Sequence, residues 1–269
     1  MRQHALTQAS LPVETWSITE NEFNPEKQYL HETLFALGNG YIGLRGTHAE
    51  GGKNDKGSWD GSYLNGFYET ESIRYPEGAY GLAEQNQFML NVPNLKGIRL
   101  SVDGESFQPV SADMSDYQRR LDFRTGVLTR DCVWQTRTGK QLRIRSERLV
   151  DLENKQGFAV RYQVTPLNFS GLIELSSFMD GYVTNFAADN DPRVAANASG
   201  PVLEQQSFTR DDAGLLFRHK THNSGFSLVS AIKNQLIGAD IAELNDLESE
   251  QRVGESWLVE ARQAEPLTL

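Results

Sequence analysis

Cysteine is almost absent from this chain of 269 residues: Cys132 stands alone, which excludes an intrachain disulfide framework and a cysteine-rich zinc site. Nothing therefore calls for an oxidising compartment. Basic residues are outnumbered, 26 Lys and Arg against 36 Asp and Glu, and the net charge of −10 argues against a nucleic acid or an anionic membrane as partner, since both demand a basic face. Long apolar runs are missing too. No stretch approaches the roughly 20 apolar residues of a membrane span. The first thirty residues, with Arg2, Glu14, Glu20, Glu22 and Glu26 among them, lack the apolar segment of a signal sequence. A cytoplasmic protein is expected.

Helical periodicity is scarce. Asn24-Pro25-Glu26 can cap and open a helix that continues through Tyr29 and Leu30, because proline is tolerated at the first helical position. Ile241, Leu244 and Leu247 can line a second short helix. What is abundant is period-two alternation broken by turn dipeptides, the mark of strands with one buried face. Ile98, Leu100 and Val102 alternate up to Asp103-Gly104, and Phe107 follows on the return. Val127, Thr129 and the segment Cys132 to Thr136 lead through Thr138-Gly139 to Leu142, Ile144 and Leu149. Further strand candidates are Phe158 to Thr165, Leu172 to Phe178, Leu215 to His219, Phe226 to Ile232 and Ser256 to Ala261. With 38% hydrophobic residues, four Trp, nine Tyr and thirteen Phe, the chain can bury one large core. The expectation is a mainly β protein forming a single domain over 1–269.

Gly38 to Gly66 breaks this grammar with nine glycines, and the interleaved Trp59, Tyr63, Phe67 and Tyr68 argue against a flexible linker, so it reads as an ordered surface loop. Within it, Gly38-Asn39-Gly40-Tyr41-Ile42-Gly43 has the G-x-G-x-x-G spacing of dinucleotide sites. No helix pattern follows, and a tight turn is the better reading, with Gly38 or Gly40 supplying positive φ and Asn39 bonding nearby backbone. The aromatic cluster either stacks on pyranose rings, with Asp60, Ser62 and Asn65 orienting a polyol, or anchors the return strand to the core.

Other candidates carry less. His219 and His222 stand three apart, which on a strand points them to opposite faces, and His48 lies in the glycine-rich loop; no metal site is expected. Asp189, Asn190 and Asp191 lack the order of a calcium loop and read as a solvated turn. Carboxylates such as Glu32, Glu69, Asp103, Glu105 and Asp180 are plentiful, yet no pair carries a glycosidase signature, and Asp103 and Glu105 flank a hairpin tip. Cys132, beside Trp134, reads as a small core residue.

The run Glu32-Thr33-Leu34-Phe35-Ala36-Leu37-Gly38-Asn39-Gly40-Tyr41-Ile42-Gly43-Leu44-Arg45-Gly46 resembles the hallmark of the N-terminal domain of glycoside hydrolase family 65, which comprises maltose, trehalose, kojibiose and nigerose phosphorylases and some α-glucosidic hydrolases. The likeness extends from Trp16 and Phe23 through Tyr63-Leu64-Asn65-Gly66-Phe67-Tyr68, Leu90-Asn91-Val92-Pro93, Val102-Asp103-Gly104-Glu105, Tyr117, Arg119, Leu121-Asp122 and Asp180-Gly181 to Asp191-Pro192-Arg193. It implies a large two-sheet antiparallel β-sandwich, a super-sandwich of galactose-mutarotase type with few short helices, packed in the family against an (α/α)6 catalytic barrel absent from this chain.

The resemblance further implies an α-linked disaccharide as substrate of the full-length enzyme, inorganic phosphate as its co-substrate, no other cofactor, and a homodimer. The fragment alone is expected to be inactive, with no catalytic residue of its own. If the sandwich lends a loop to the sugar pocket, Gly38 to Gly66 is the choice, with Asn39, Arg45, Trp59, Tyr63, Asn65 and Phe67 as pocket candidates. Two alternatives stand beside this: an autonomous carbohydrate-binding module, and the same domain from an α-glucosidic hydrolase. A third, an enzyme using Glu32 or Asp180 as acid, lacks a signature. A domain normally covered by a barrel should also show an uncovered apolar patch.

Overall fold

The computed structural model describes residues 11–51, 58–73, 80–185, 201, 203–212 and 214–269. Among the described residues there are four antiparallel sheets and one short α-helix. The largest sheet runs β1 (Ser17–Glu20), β8 (Asp113–Asp122), β9 (Leu128–Gln135), β10 (Gln141–Val150), β11 (Phe158–Pro166) and β18 (Leu267–Thr268). The second has the order β16 (Asp240–Glu248), β17 (Arg252–Ala261), β12 (Gly171–Asp180), β6 (Asn94–Val102) and β7 (Glu105–Ser106). The inner residues of these two sheets pack into one core that includes Leu100, Phe107, Trp134, Ile144, Tyr162, Leu175 and Val259, all almost completely buried. This is the mainly β sandwich that the alternation predicts, since every second side chain of each strand leaves water for that core.

Two smaller sheets lie beyond the sandwich. One is β13 (Leu203–Asp211), β14 (Gly214–Thr221) and β15 (Ser227–Ile232); the other is β2 (Leu37–Gly38), β3 (Ile42–Leu44), β4 (Ser62–Ser72) and β5 (Gln85–Asn91). Helix α1 (Gln28–Leu34) follows a 3-10 turn over Pro25–Lys27. Asn24 caps that turn by accepting a hydrogen bond from the Glu26 N–H at 2.9 Å, as the Asn-Pro-Glu signal predicts. Asp103 and Gly104 both have positive φ, 50° and 76°, and close the β6–β7 hairpin.

Two expectations change. Ile241, Leu244 and Leu247 lie on β16, an edge strand, rather than on a helix. The three-residue spacing that mimics helical periodicity arises from a register shift between Ile241 and Glu243, which brings Ile241 opposite Val259 and Leu244 opposite Trp257. The glycine-rich stretch is not wholly superficial: the described part passes through β2 and β3, and Thr47, Ala49 and Glu50 are then buried beneath the largest sheet. Gly38 to Gly43 is a strand–turn–strand, not a strand–helix unit. The Asn39 carboxamide oxygen accepts from the Tyr41 and Ile42 N–H groups, and Gly40 takes a φ of 86°. Among the described residues no helix is long and apolar enough to cross a membrane.

Candidate functional site

Three adjacent strands each turn one arginine inward, in phase with apolar neighbours: Arg119 on β8, Arg130 on β9 and Arg148 on β10. Buried cations need partners, and the segment Arg45 to Glu50 supplies them. Arg119 donates to the Gly46 carbonyl, while Arg148 donates to the Arg45 carbonyl at 3.4 Å and the Thr47 carbonyl at 3.0 Å. Arg130 forks onto Glu50 at 2.8 and 2.6 Å, and the Tyr162 hydroxyl donates to the same carboxylate. Burial alone would raise the Glu50 pKa, but Arg130 and Tyr162 outweigh it and hold the carboxyl below its usual range. Burial pushes Arg148 down to about 10, and burial together with the three arginines keeps His48 well below an ordinary histidine.

Glu20 joins from β1, taking His31 at 2.7 Å and the Tyr117 hydroxyl at 3.0 Å. Gly46 has no room for a side chain: a Cβ would sit 2.6 Å from the Phe35 carbonyl oxygen and 2.7 Å from the Arg119 guanidinium. The approach of Arg45 to Glu50 to the sandwich is thus fixed by charge and by the absence of a methyl group.

This anchored segment carries an aromatic and polar surface at its outer end. Arg45 lies over the Tyr29 ring at 5.0 Å and spreads its donors to the Trp59 carbonyl, the Thr33 hydroxyl and the Tyr29 carbonyl, at 2.8, 3.0 and 3.0 Å. Glu32, on the inward face of α1, accepts from the Ser58 hydroxyl and from the Trp59 N–H at 2.9 Å. Burial raises its pKa, against these donors and Arg45. Tyr63 packs its ring over Gly61, where a Cβ would approach to 2.7 Å, and burial raises its phenol pKa. The return of the loop is pegged by Asp60, which accepts from Thr47 at 2.6 Å and pairs with buried Lys96 at 2.9 Å; Lys96 also donates to Ser62 and Asn94.

The structure thus gathers Tyr29, Arg45, Trp59 and Tyr63 into one partly exposed group held from below by Glu32. Flat rings beside a fixed guanidinium suit contact with the C–H faces and hydroxyls of a sugar. The other pocket candidates lie elsewhere. Asn39 and Asn65 peg the β2–β3 turn, with the Asn39 amide donating to the Asp151 and Lys155 carbonyls and the Asn65 amide to the Gly40 carbonyl. Phe67 is buried with Leu90, Val92, Val183 and Leu203 and meets Phe226 at 5.8 Å.

The remaining candidates have structural partners. Glu69 accepts from the N–H groups of Thr70, His222, Asn223 and Ser224, closing the β14–β15 turn. Asp180 pairs with Arg252 at 2.7 Å, and Asp103 with Lys140 at 2.6 Å. His219 is buried on β14 against Phe217, and its pKa falls to about 4 through burial. Asp189, Asn190 and Asp191 lie outside the described residues. Tyr29 and the three inward arginines were missed by sequence reasoning. The arginines had a signal, since Arg119, Arg130 and Arg148 share the parity of Leu121, Cys132 and Val150 on their strands.

Beside Tyr63 opens a cleft of about 1040 Å³, lined among others by Tyr41, Lys96, Leu149, Phe158, Val229 and Ile232. The outward face of α1 is apolar as well: Tyr29, Leu30 and Leu34 are 45%, 48% and 37% exposed, although Gln28, His31 and Glu32 of the opposite face are buried.

Comparison with known proteins matches residues 18–269 to the model described as glycosyl hydrolase family 65, N-terminal domain. An α,α-trehalose phosphorylase of Thermoanaerobacter brockii is 40% identical over 243 residues, covering 89% of this chain and 31% of that protein. A maltose phosphorylase of Bacillus subtilis is 33% identical over 180 residues, covering 67% of this chain and 23% of that protein. A solved structure described as "Putative kojibiose phosphorylase from human microbiome" superposes with a TM-score of 0.80 at 22% identity, over 96% of this chain and 32% of that one. The chain spans about a third or less of the length of these relatives.

Proposed function

Because the chain belongs to glycosyl hydrolase family 65, as its N-terminal domain, we propose that it is the noncatalytic β-sandwich of a longer disaccharide phosphorylase. That enzyme would act in the cytoplasm on an α-linked glucobiose. Phosphate would attack the anomeric carbon with inversion, releasing β-glucose 1-phosphate and a free sugar. Phosphate is already an anionic nucleophile, so one acid on the catalytic barrel suffices and no second, base carboxylate is needed. The barrel and the phosphate site would lie in the rest of the polypeptide, and the full-length enzyme would be a homodimer.

The observation that supports this reading is the inverted polarity of α1, which buries Gln28, His31 and Glu32 and turns Tyr29, Leu30 and Leu34 outward. A surface helix ordinarily turns its apolar stripe inward and a polar face to water. Here Tyr29, Leu30 and Leu34 face outward and Tyr29 carries Arg45, and a second domain seated on this face would bring Arg45, Trp59 and Tyr63 against the mouth of its sugar pocket. The sandwich would thereby shield the pocket and lend it a rigid wall.

Calorimetric titration of this chain with maltose, trehalose, kojibiose and a linear glucan tests the reading. The expected result is no saturable heat from a cooperatively folded sample. In the full-length polypeptide, the paired substitution Leu30→Asp and Leu34→Asp should loosen the sandwich, so that limited proteolysis releases it as an intact domain. Saturable sugar binding by this chain alone, abolished by Trp59→Ala, would instead mark an autonomous carbohydrate-binding module.

A further inference from the structure

The sequence contains two Asn-Gly pairs, in near-identical contexts: Asn39-Gly40-Tyr41 and Asn65-Gly66-Phe67. An asparagine followed by glycine is prone to self-modification, because the unhindered glycine nitrogen can reach the side-chain carbonyl carbon. The fold treats the two pairs very differently. Asn39 has both ends of its carboxamide engaged: the amide donates at 2.6 and 3.0 Å to the Asp151 and Lys155 carbonyls, and the oxygen accepts from Tyr41 N–H at 3.0 Å and Ile42 N–H at 2.8 Å. Swinging that group onto the Gly40 nitrogen would break four hydrogen bonds, two within the β2–β3 turn and two that tie it to the β10–β11 connection. Asn65 is exposed, and its amide makes one contact, 3.0 Å to the Gly40 carbonyl. Gly66 has a φ of 84°, and the register between β4 and β5 shifts between Tyr63 and Tyr68, so the pair sits in a bulge rather than in a regular ladder.

We propose that Asn65 is a site of spontaneous deamidation in the folded protein and that Asn39 is protected from it. The Gly66 nitrogen bonds to the Asn65 Cγ while the Cγ–Nδ2 bond breaks, and the Gly66 amide proton leaves with that nitrogen as ammonia, giving a cyclic imide. Water then opens the ring. Attack at the side-chain carbonyl gives aspartate, and attack at the main-chain carbonyl gives isoaspartate, which routes the backbone through an extra methylene. Either product adds a negative charge and removes the amide donor from the Gly40 carbonyl. Isoaspartate also lengthens β4 two residues beyond Tyr63, so the site acts as an age mark beside the platform of Arg45, Trp59 and Tyr63.

The test is a time course of peptide mass mapping on the folded chain at 37 °C and mildly alkaline pH, with isoaspartate scored separately. The same chain in denaturant serves as the internal control. In the folded chain the Asn65 peptide should convert at least about tenfold faster than the Asn39 peptide, since three fewer hydrogen bonds must break. In denaturant the two rates should converge. Asn65→Gln, which keeps an amide but disfavours the five-membered ring, should abolish the fast phase without altering unfolding by denaturant. Equal rates in the folded chain would overturn the proposal. So would faster conversion at Asn39, or an unreactive Asn65 in the folded chain beside a reactive one in denaturant.

Discussion

Replacing Glu50 by leucine removes the carboxylate that Arg130 grips with both arms and that the Tyr162 hydroxyl also reaches. Both partners are almost fully buried, so the guanidinium left behind has no route to water. Breaking such a pair costs about 3–5 kcal/mol, and the orphaned tyrosine hydroxyl adds about 1 kcal/mol. The sum, about 4–6 kcal/mol, approaches the whole stability of a marginal domain and corresponds to a melting temperature lower by about 10–20 °C. Arg130→Met alone leaves the opposite charge stranded and should cost a similar amount. The double variant removes both charges and relieves the repulsion of Arg130 on Arg119, so it should return to within about 2 kcal/mol of the parent. Urea unfolding of the four proteins measures the cycle without adding salt. A Glu50→Leu cost below about 1 kcal/mol, or a double variant equal to the sum of the singles, would refute the claim that this pair anchors the segment Arg45 to Glu50.

Acid should destabilise the fold from about pH 6.5 downward. His219 has a folded pKa of about 4, below its unfolded value, so the unfolded chain binds the extra proton. At 1.36 kcal/mol per unit, and discounted for solvent screening, the His219 share is on the order of 2 kcal/mol near pH 4, and His219→Phe should remove that share while buried His48 keeps its own; an unchanged acid slope in that variant would contradict the assignment. Glu50 acts next: its folded pKa is depressed, so its stabilisation is present above the unfolded carboxyl value and fades as pH falls through the folded one. Gly46→Ala must displace the Phe35 carbonyl or the Arg119 guanidinium, and a cost of about 1–3 kcal/mol in urea unfolding is expected; a neutral result would show that the segment has room to give. Arg45→Lys keeps the charge but loses the planar fork that reaches Trp59, Thr33 and Tyr29. The Trp59 contribution to fluorescence, isolated by difference against Trp59→Phe, should shift to the red, and an unmoved spectrum would mean that Trp59 is held by other contacts.

Much of the sandwich was legible because each of its strands buries one face, and a buried face writes period two into the sequence. The β9–β10 hairpin, with Leu128, Cys132, Trp134, Leu142 and Ile144 inward, follows that rule throughout. Strand β16 did not, because it lies at an edge with both faces largely exposed and carries a bulge, so no burial constraint disciplines its pattern. The site was legible in part. Arg45, Trp59 and Tyr63 come together, but the partners that assemble them, Glu32 and Tyr29 on α1, are joined to them only by tertiary packing. Phe67 shares the loop's aromatic spacing with Tyr63, yet lies past the register shift in β4 and enters a separate core cluster. The interior course of Thr47 to Glu50 escaped notice because the polar residues there are matched by arginines 80–101 positions away in sequence.

That separation sets an order of events at the ribosome. The segment Arg45 to Glu50 is synthesised well before β8, β9 and β10, whose arginines neutralise Glu50 and cap the carbonyls of Arg45, Gly46 and Thr47. At about 5–20 residues per second, the 103 residues from Arg45 to Arg148 take on the order of 5–20 s to emerge. During that interval the early strands have neither their counter-charges nor the facing sheet, so the nascent chain depends on chaperones or on its own solvation until β10 arrives. Slowing translation before Arg148 should lengthen the period of protease sensitivity, whereas slowing it after Arg148 should not.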